Sequence, residues 1–298
     1  MRGKQIVRVS IFAAAAWLWT AAPASAQLTP EAKRGFERYV QLTEERNEQQ
    51  MKAEARPGGS FLWIDGLPQA RRQSVLARLE RGEVVSEQLT TPASPAEIAT
   101  PGALIHHWVG TVFIPGATLK QVLALVQDYD HQSQYYQPEV ERSKLLARSG
   151  DDFKVYLRLK QTDVITVVLD TEYDVHYERL DANREASFSR STRIAELVHA
   201  DEAGEQALPP GGDHGFLWRM NSYWRFEETS RGVFVQCEAV SLTRDIPVGL
   251  GWLVGPFIET IPKQSLEFTL GATRKAVLAH ASLASPSQDA VSADANDR

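Results

Sequence analysis

Polar and ionisable side chains recur in this chain inside stretches whose other members are apolar. Arg190 and Thr192 fall on the same parity as Phe188 and Ile194, and Ser222 on that of Trp218, Met220 and Trp224. Glu238 shares its parity with Phe234, Val240 and Leu242. In a strand, side chains two apart share a face, so these groups are expected on apolar faces. An arginine there needs a carboxylate, because an unpaired buried charge is strongly destabilising. Glu238 is the candidate partner. Such a set either ties strands together structurally or meets a ligand.

Other chemistry is sparse. His106 and His107 are adjacent in a strand pattern, so their rings point to opposite faces and do not chelate one metal together. HExxH, CxxC, zinc spacings and a GxSxG elbow are missing from the sequence,. Residues 249–255, GLGWLVG, lack both the Walker lysine and dinucleotide spacing, and read as a bend between strand and helix,. No catalytic residue, metal or cofactor is expected.

The elements that position these residues follow from periodicity. Residues 105–114 are rich in β-branched and aromatic side chains and stop at Pro115-Gly116, which predicts a strand,. Thr118 can cap a helix carrying Leu119, Val122, Leu123 and Val126,. A tyrosine-rich short segment, 128–136, precedes Pro138. Strands are then predicted over 140–147, 152–162, 164–177, 184–197, 216–228 and 233–244, making seven. In 152–162 and 164–177, Phe153, Val155, Tyr173 and Val175 lie on one face. Arg158, Lys160, Asp170 and Glu172 lie on the other, read as a solvated cross-strand set,. A long helix over 256–279 is apolar on two sides, through Phe257, Ile261 and Phe268 and through Leu266, Leu270 and Val277,. Pro262 predicts a break or a start within it.

The ends read differently. Residues 1–26 have the form of a secretory signal peptide: Arg2, Lys4 and Arg8, an apolar run, and Ala24-Ser25-Ala26 as cleavage site,. A mature chain from Gln27, secreted or periplasmic, is expected. Losing the leader's three positive charges takes the net charge from −6 to −9, which disfavours nucleic acid or an anionic surface as main partner,. Cys237 is the only cysteine, so no intramolecular disulfide forms,. Residues 27–89 read as an N-terminal helical extension packing on the main domain, 90–102 as a Pro/Ala/Thr linker, 103–281 as the main domain and 282–298 as a disordered tail,.

This order of strand, two short helices, a run of strands and a long terminal helix resembles the START-related, polyketide-cyclase-like (SRPBCC) superfamily. The detail is similar to its exported bacterial members, through HHWVGTVFIPG, QDYDHQSQYY, SRSTRI, GFLWRMNSYWRFEE, EAVSLTRDIP and IPKQSLEFTL. The resemblance implies an α+β helix-grip fold: a seven-stranded curved antiparallel sheet wrapped around the C-terminal helix, with a deep apolar cavity between them. Members bind lipids, sterols, polyketides or plant hormones, and a minority are cyclases, aromatases, or hydrolytic and oxygenase components. They share no catalytic motif. The expected cavity residues are Tyr173, Arg190, Thr192, Trp218, Ser222, Trp224, Glu238, Phe257 and Phe268. Leu250, Trp252 and Leu253 are expected at a portal that acts as a lid or touches membrane transiently, or else packs on the N-terminal helices. Two functions follow: a binding or carrier protein for a hydrophobic small molecule or lipid, or a cyclase/aromatase-type enzyme using the same cavity. A third is protein interaction through the N-terminal helices.

Overall fold

A computed structural model describes residues 27–54, 60–91, 98–162, 165–245 and 251–284, and for 53–54, 251–259 and 282–284 only the backbone path. The leader, the portal residue Leu250, the side chains of Trp252, Leu253 and Phe257, and nearly all of the tail therefore lie outside the described residues.

The two alternating runs form a hairpin. β4 (Asp152–Thr162) and β5 (Thr166–Arg179) pair antiparallel, with Thr162 opposite Thr166 and Asp152 opposite His176. With β1 (Val85–Gln88), β2 (Ala103–Pro115), β3 (Val140–Ser149), β6 (Arg184–Val198), β7 (Gln206–Ala207), β8 (Arg219–Thr229) and β9 (Gly232–Arg244) they make one sheet. Its order is β1-β2-β9-β8-β6-β5-β4-β3, with β7 paired to β6. Among the described residues nine strands stand where seven were expected: β1 falls in the 83–89 stretch that the sequence offers as a short strand, and β7 has too few residues to carry an alternation.

Two helices cross from β2 to β3. Thr118 accepts the Gln121 amide and Gln121 reciprocates, a capping box that starts α3 (Leu119–Val126),; α4 (Gln132–Tyr135) follows. α5 (Gly251–Ala284) is continuous through Pro262, so the expected break is absent. A proline removes one backbone hydrogen bond, and this 34-residue helix runs on past it, packed on the sheet. Gly110 on β2 lets it approach closely: a Cβ there would lie 2.6 Å from Leu270 Cδ1. Leu266, Leu270 and Val277 join Val112, Ile114, Val235 and Phe226 in the main core. The helix's other side meets the short helices, where Tyr136 bonds Thr273 at 3.0 Å.

α1 (Pro30–Glu54) covers the convex face of the sheet. Phe36, Tyr39 and Val40 pack against Val240, Leu242, Trp218 and Tyr223. A 3-10 turn, Trp63–Gly66, and α2 (Gln69–Glu80) extend that cover. Phe61, Leu62, Val75 and Leu79 there meet Phe113 and Phe234. The central strands are thus buried on both faces.

Two expectations on facing are corrected. Arg158 opposes Asp170 as predicted, but it is buried rather than solvated, because Glu205 and Asp201 from the loop around β7 close over it. On β6, Thr192 has no partner: Arg193 opposes Glu172 while Ser191 opposes Tyr173. This β-bulge reverses the facing of the strand beyond it.

Candidate ligand-binding site

The cavity walls come from the concave face of the sheet, α5 and the tyrosine-rich crossing. Register fixes one row across five strands: Trp108, Ala239, Ser222, Ser189 and Val175. Flanking it, Cys237, Trp224, Ser187 and Tyr177 form one row, and Ser241 and Met220 begin another. Short side chains in the middle of these rows leave a space of about 900 Å³ between sheet and helix. Tyr129, Tyr136, Tyr173, Leu266, Phe268 and Thr269 complete much of the wall. That size falls in the range of small-molecule sites, which are mostly apolar with a few placed polar groups.

The polar groups divide by depth. Inside they are neutral. Ser189 and Ser222 hydroxyls bond each other at 2.8 Å, and Tyr129 and Tyr177 at 2.9 Å. The Tyr173 hydroxyl has Met220 sulfur at 3.9 Å as its acceptor, and burial pushes its phenol up to about 12. Trp108 Nε1 is buried without a hydrogen-bond partner among the described residues. The charged lining residues are Glu139, Lys160, His214, Arg244 and Asp245. Burial pushes the Glu139 carboxyl up, against a hydrogen bond from Ser265 that lowers it. Lys160 is held by Glu141 at 2.6 Å. Exposed Ile165 and Phe216 also belong to the lining and mark where the cavity meets solvent. A more polar recess of about 590 Å³ adjoins it, sharing Glu139, Val140, Lys160 and Gln161. Among the described residues no group of three or more His, Cys, Asp or Glu could hold a metal ion.

Of the residues singled out in the sequence, Tyr173, Ser222, Trp224 and Phe268 line this cavity. Arg190 and Thr192 do not: both are exposed, and Arg190 pairs on the convex side with Glu44 of α1 at 2.6 Å. The bulge at Thr192 and the serines on the alternate parity explain the reversal, since Ser187 and Ser189 hold the concave face. Glu238 does share a face with Phe234, Val240 and Leu242, but that face is the one under α1. Its partners are Arg46 and His107, not Arg190. Trp218 precedes β8 and packs in the convex cluster, its Nε1 donating to Asp213 at 2.8 Å. His106 and His107 point apart as expected: His106 bonds Thr243, and His107 bonds Tyr39 and Glu238.

Sequence reasoning missed Trp108, Ser187, Ser189, Ser241 and His214 as lining residues. The signal for Trp108 was present, because it shares parity with Val112 and Ile114. The serines carried none, being polar residues on a face expected to be apolar.

No family model and no curated protein matches the chain. Solved structures do. A STAR-related lipid transfer protein from Xanthomonas axonopodis is similar at a TM-score of 0.41 and 18% identity, covering 65% of this chain and 98% of that one. The Zhui aromatase/cyclase from Streptomyces sp. R1128 gives 0.40 and 14%, covering 60% and 96%. Human STARD10 gives 0.41 and 9%, covering 73% and 82%. The sheet curves around α5 in a helix-grip arrangement. These likenesses concern the chain path only. Among the described residues the convex face is occupied by α1 and α2, and the concave face borders the cavity of about 900 Å³.

Proposed function

We propose that this chain is an exported binding or carrier protein for a hydrophobic ligand, of lipid, sterol or polyketide-like type, held between the sheet and α5. The observation that carries it is the cavity of about 900 Å³, whose buried lining is apolar except for neutral hydroxyl, thiol, indole and amide groups. Transfer of apolar surface into such a space is favourable at roughly 25 cal/mol per Å². Export rests on the leader at residues 1–26,.

The alternative is a cyclase or aromatase acting in the same cavity. Acid–base work at neutral pH favours a group titrating near pH 7, and the interior phenol of Tyr173 sits at about 12. Binding is the favoured reading because the interior offers apolar surface and neutral groups, with the imidazole of His214 at the rim, and the sequence carries no catalytic motif. Entry is assigned to the side marked by Ile165 and Phe216; a portal at Leu250, Trp252 and Leu253 with transient membrane contact is proposed from the sequence alone.

Native mass spectrometry of protein purified gently from an exporting host tests it. A co-purifying adduct of lipid-like mass is expected. Bare protein, together with failure of that protein to take up anything from a total lipid extract, would overturn the reading.

A further inference from the structure

His214 sits on the cavity rim in an arrangement that is built rather than incidental. Beyond the bulge at Thr192, β6 turns Glu196 to the concave side, opposite Leu169, itself a cavity residue. The Glu196 side chain is 9% exposed, and one of its oxygens lies 2.5 Å from His214 Nδ1 while the other accepts the His214 backbone N–H at 3.0 Å. A carboxylate has no proton to give, so Nδ1 carries the hydrogen and Nε2 keeps its lone pair in the neutral ring. Among the described residues Nε2 has no hydrogen-bond partner, and the ring lies on the cavity wall with Phe216 and Leu217.

The loop that carries it is fixed from both sides. Asp213 Oδ1 accepts the Gly215 N–H at 2.9 Å and the Trp218 indole at 2.8 Å. Arg244 N–H donates to the Gly215 carbonyl at 2.7 Å. Gly215 has φ 77°, and a Cβ there would lie 2.6 Å from Arg244 Cβ, so glycine is required at this close approach,. An imidazole held this firmly has its acceptor pre-positioned, which lowers the cost of ordering on binding.

We propose that His214 Nε2 accepts a hydrogen bond from a hydroxyl of the ligand, so that the cavity takes an apolar molecule bearing a hydroxyl and seats that end at the rim. The inference rests on the cavity being a ligand site. The apolar body then lies over Ser222, Ala239 and Trp224, and the hydroxyl end stays beside the loop. A bland role for His214, as an anchor that merely ties the loop to Glu196, uses Nδ1 alone and makes no demand on the ligand.

The test compares 4-nonylphenol with its methyl ether, 4-nonylanisole, which has the same body without the donor. Each displaces N-phenyl-1-naphthylamine from the full chain at pH 8. Wild type is expected to bind the phenol about tenfold tighter than the ether, the size of one good hydrogen bond. In His214→Asn the amide nitrogen can still donate to Glu196 while Nε2 is gone. That variant is expected to bind both probes alike, at the wild-type affinity for the ether. In wild-type protein the Nε2 nitrogen-15 resonance of His214 should move with the phenol and stay still with the ether, a readout that needs no variant to fold. Equal affinities in wild type, or a preference that survives in His214→Asn, overturn the role of His214 and leave the cavity reading standing. Failure of both probes to displace the reporter from wild type overturns the cavity reading itself, and this one with it.

Discussion

His107 Nε2 lies 2.8 Å from Glu238 Oε1, in the seam between the convex face of the sheet and α1. Tyr39 closes the other side of the imidazole at 2.8 Å, and Arg46 of α1 reaches the same carboxylate oxygen. Three elements therefore meet at one buried acid.

That acid makes stability depend on pH. Burial pushes the Glu238 carboxyl up, but the hydrogen bond from His107 and the charges of Arg46, His107 and Arg225 outweigh it, leaving it below its ordinary 4.5. A carboxyl depressed on folding contributes stability that is full above its unfolded pKa and is lost as pH falls through the folded one. Urea melts should thus show a loss of stability beginning below about pH 4.5 that is weaker in Glu238→Gln. Glu238→Ala, which strands Arg46, is expected to cost about 3 kcal/mol at pH 7. A pH profile identical in wild type and Glu238→Gln would contradict this account.

Arg225 is the second fastener of α1. It is buried on the convex side, donating to the Phe61 carbonyl at 2.5 Å, to Asn47 at 3.0 Å and to Gln50 at 3.2 Å. Arg225→Ala leaves that carbonyl unpaired and should cost about 3 kcal/mol. Protease cleavage near residues 55–60 should accelerate in the variant while cleavage in the β4–β5 hairpin does not. Uniform acceleration at both places would mean that α1 is not a separately fastened element.

Filling the cavity separates binding from folding. Ser222 sits in the middle of the concave row, facing Ala239 and Ser189. Ser222→Phe should abolish the co-purifying adduct while costing about 1 kcal/mol, the worth of its hydrogen bond to Ser189,. Thermal melting and native mass spectrometry on the same sample check both halves. An undiminished adduct would place the ligand elsewhere.

The leader gives a direct prediction. Amino-terminal sequencing of protein recovered from the periplasm of an exporting host should start at Gln27,. Recovery of the chain from cytoplasm with Met1 retained would remove export from the proposal.

How far the sequence led depended on whether each face had one environment or two. The β4–β5 hairpin was legible because its alternation is regular and Phe153, Val155, Tyr173 and Val175 share one buried side. β9 was not, because α1 and α2 bury its second face, so apolar residues appear on both parities and Glu238 was assigned to the wrong side of the sheet. On β6 the bulge at Thr192 breaks the period of two that any facing argument assumes,. Arg158 looked solvated since nothing local announces that a loop some 45 residues later will close over it,. His214 lies in a loop, where no periodicity operates, and only the fold brings Glu196 to it.

The concave wall has a further consequence. At its centre Ser187, Ser189, Ser222, Ala239 and Ser241 project little, and the space exists because of what those positions omit. None of the five fills the principal hydrophobic core. The cavity can therefore be narrowed by lengthening one of these side chains at a time. Tyr173, Val175, Phe226 and Leu266 line the cavity and also build the core, so the small residues are where the space can be reshaped without removing core contacts.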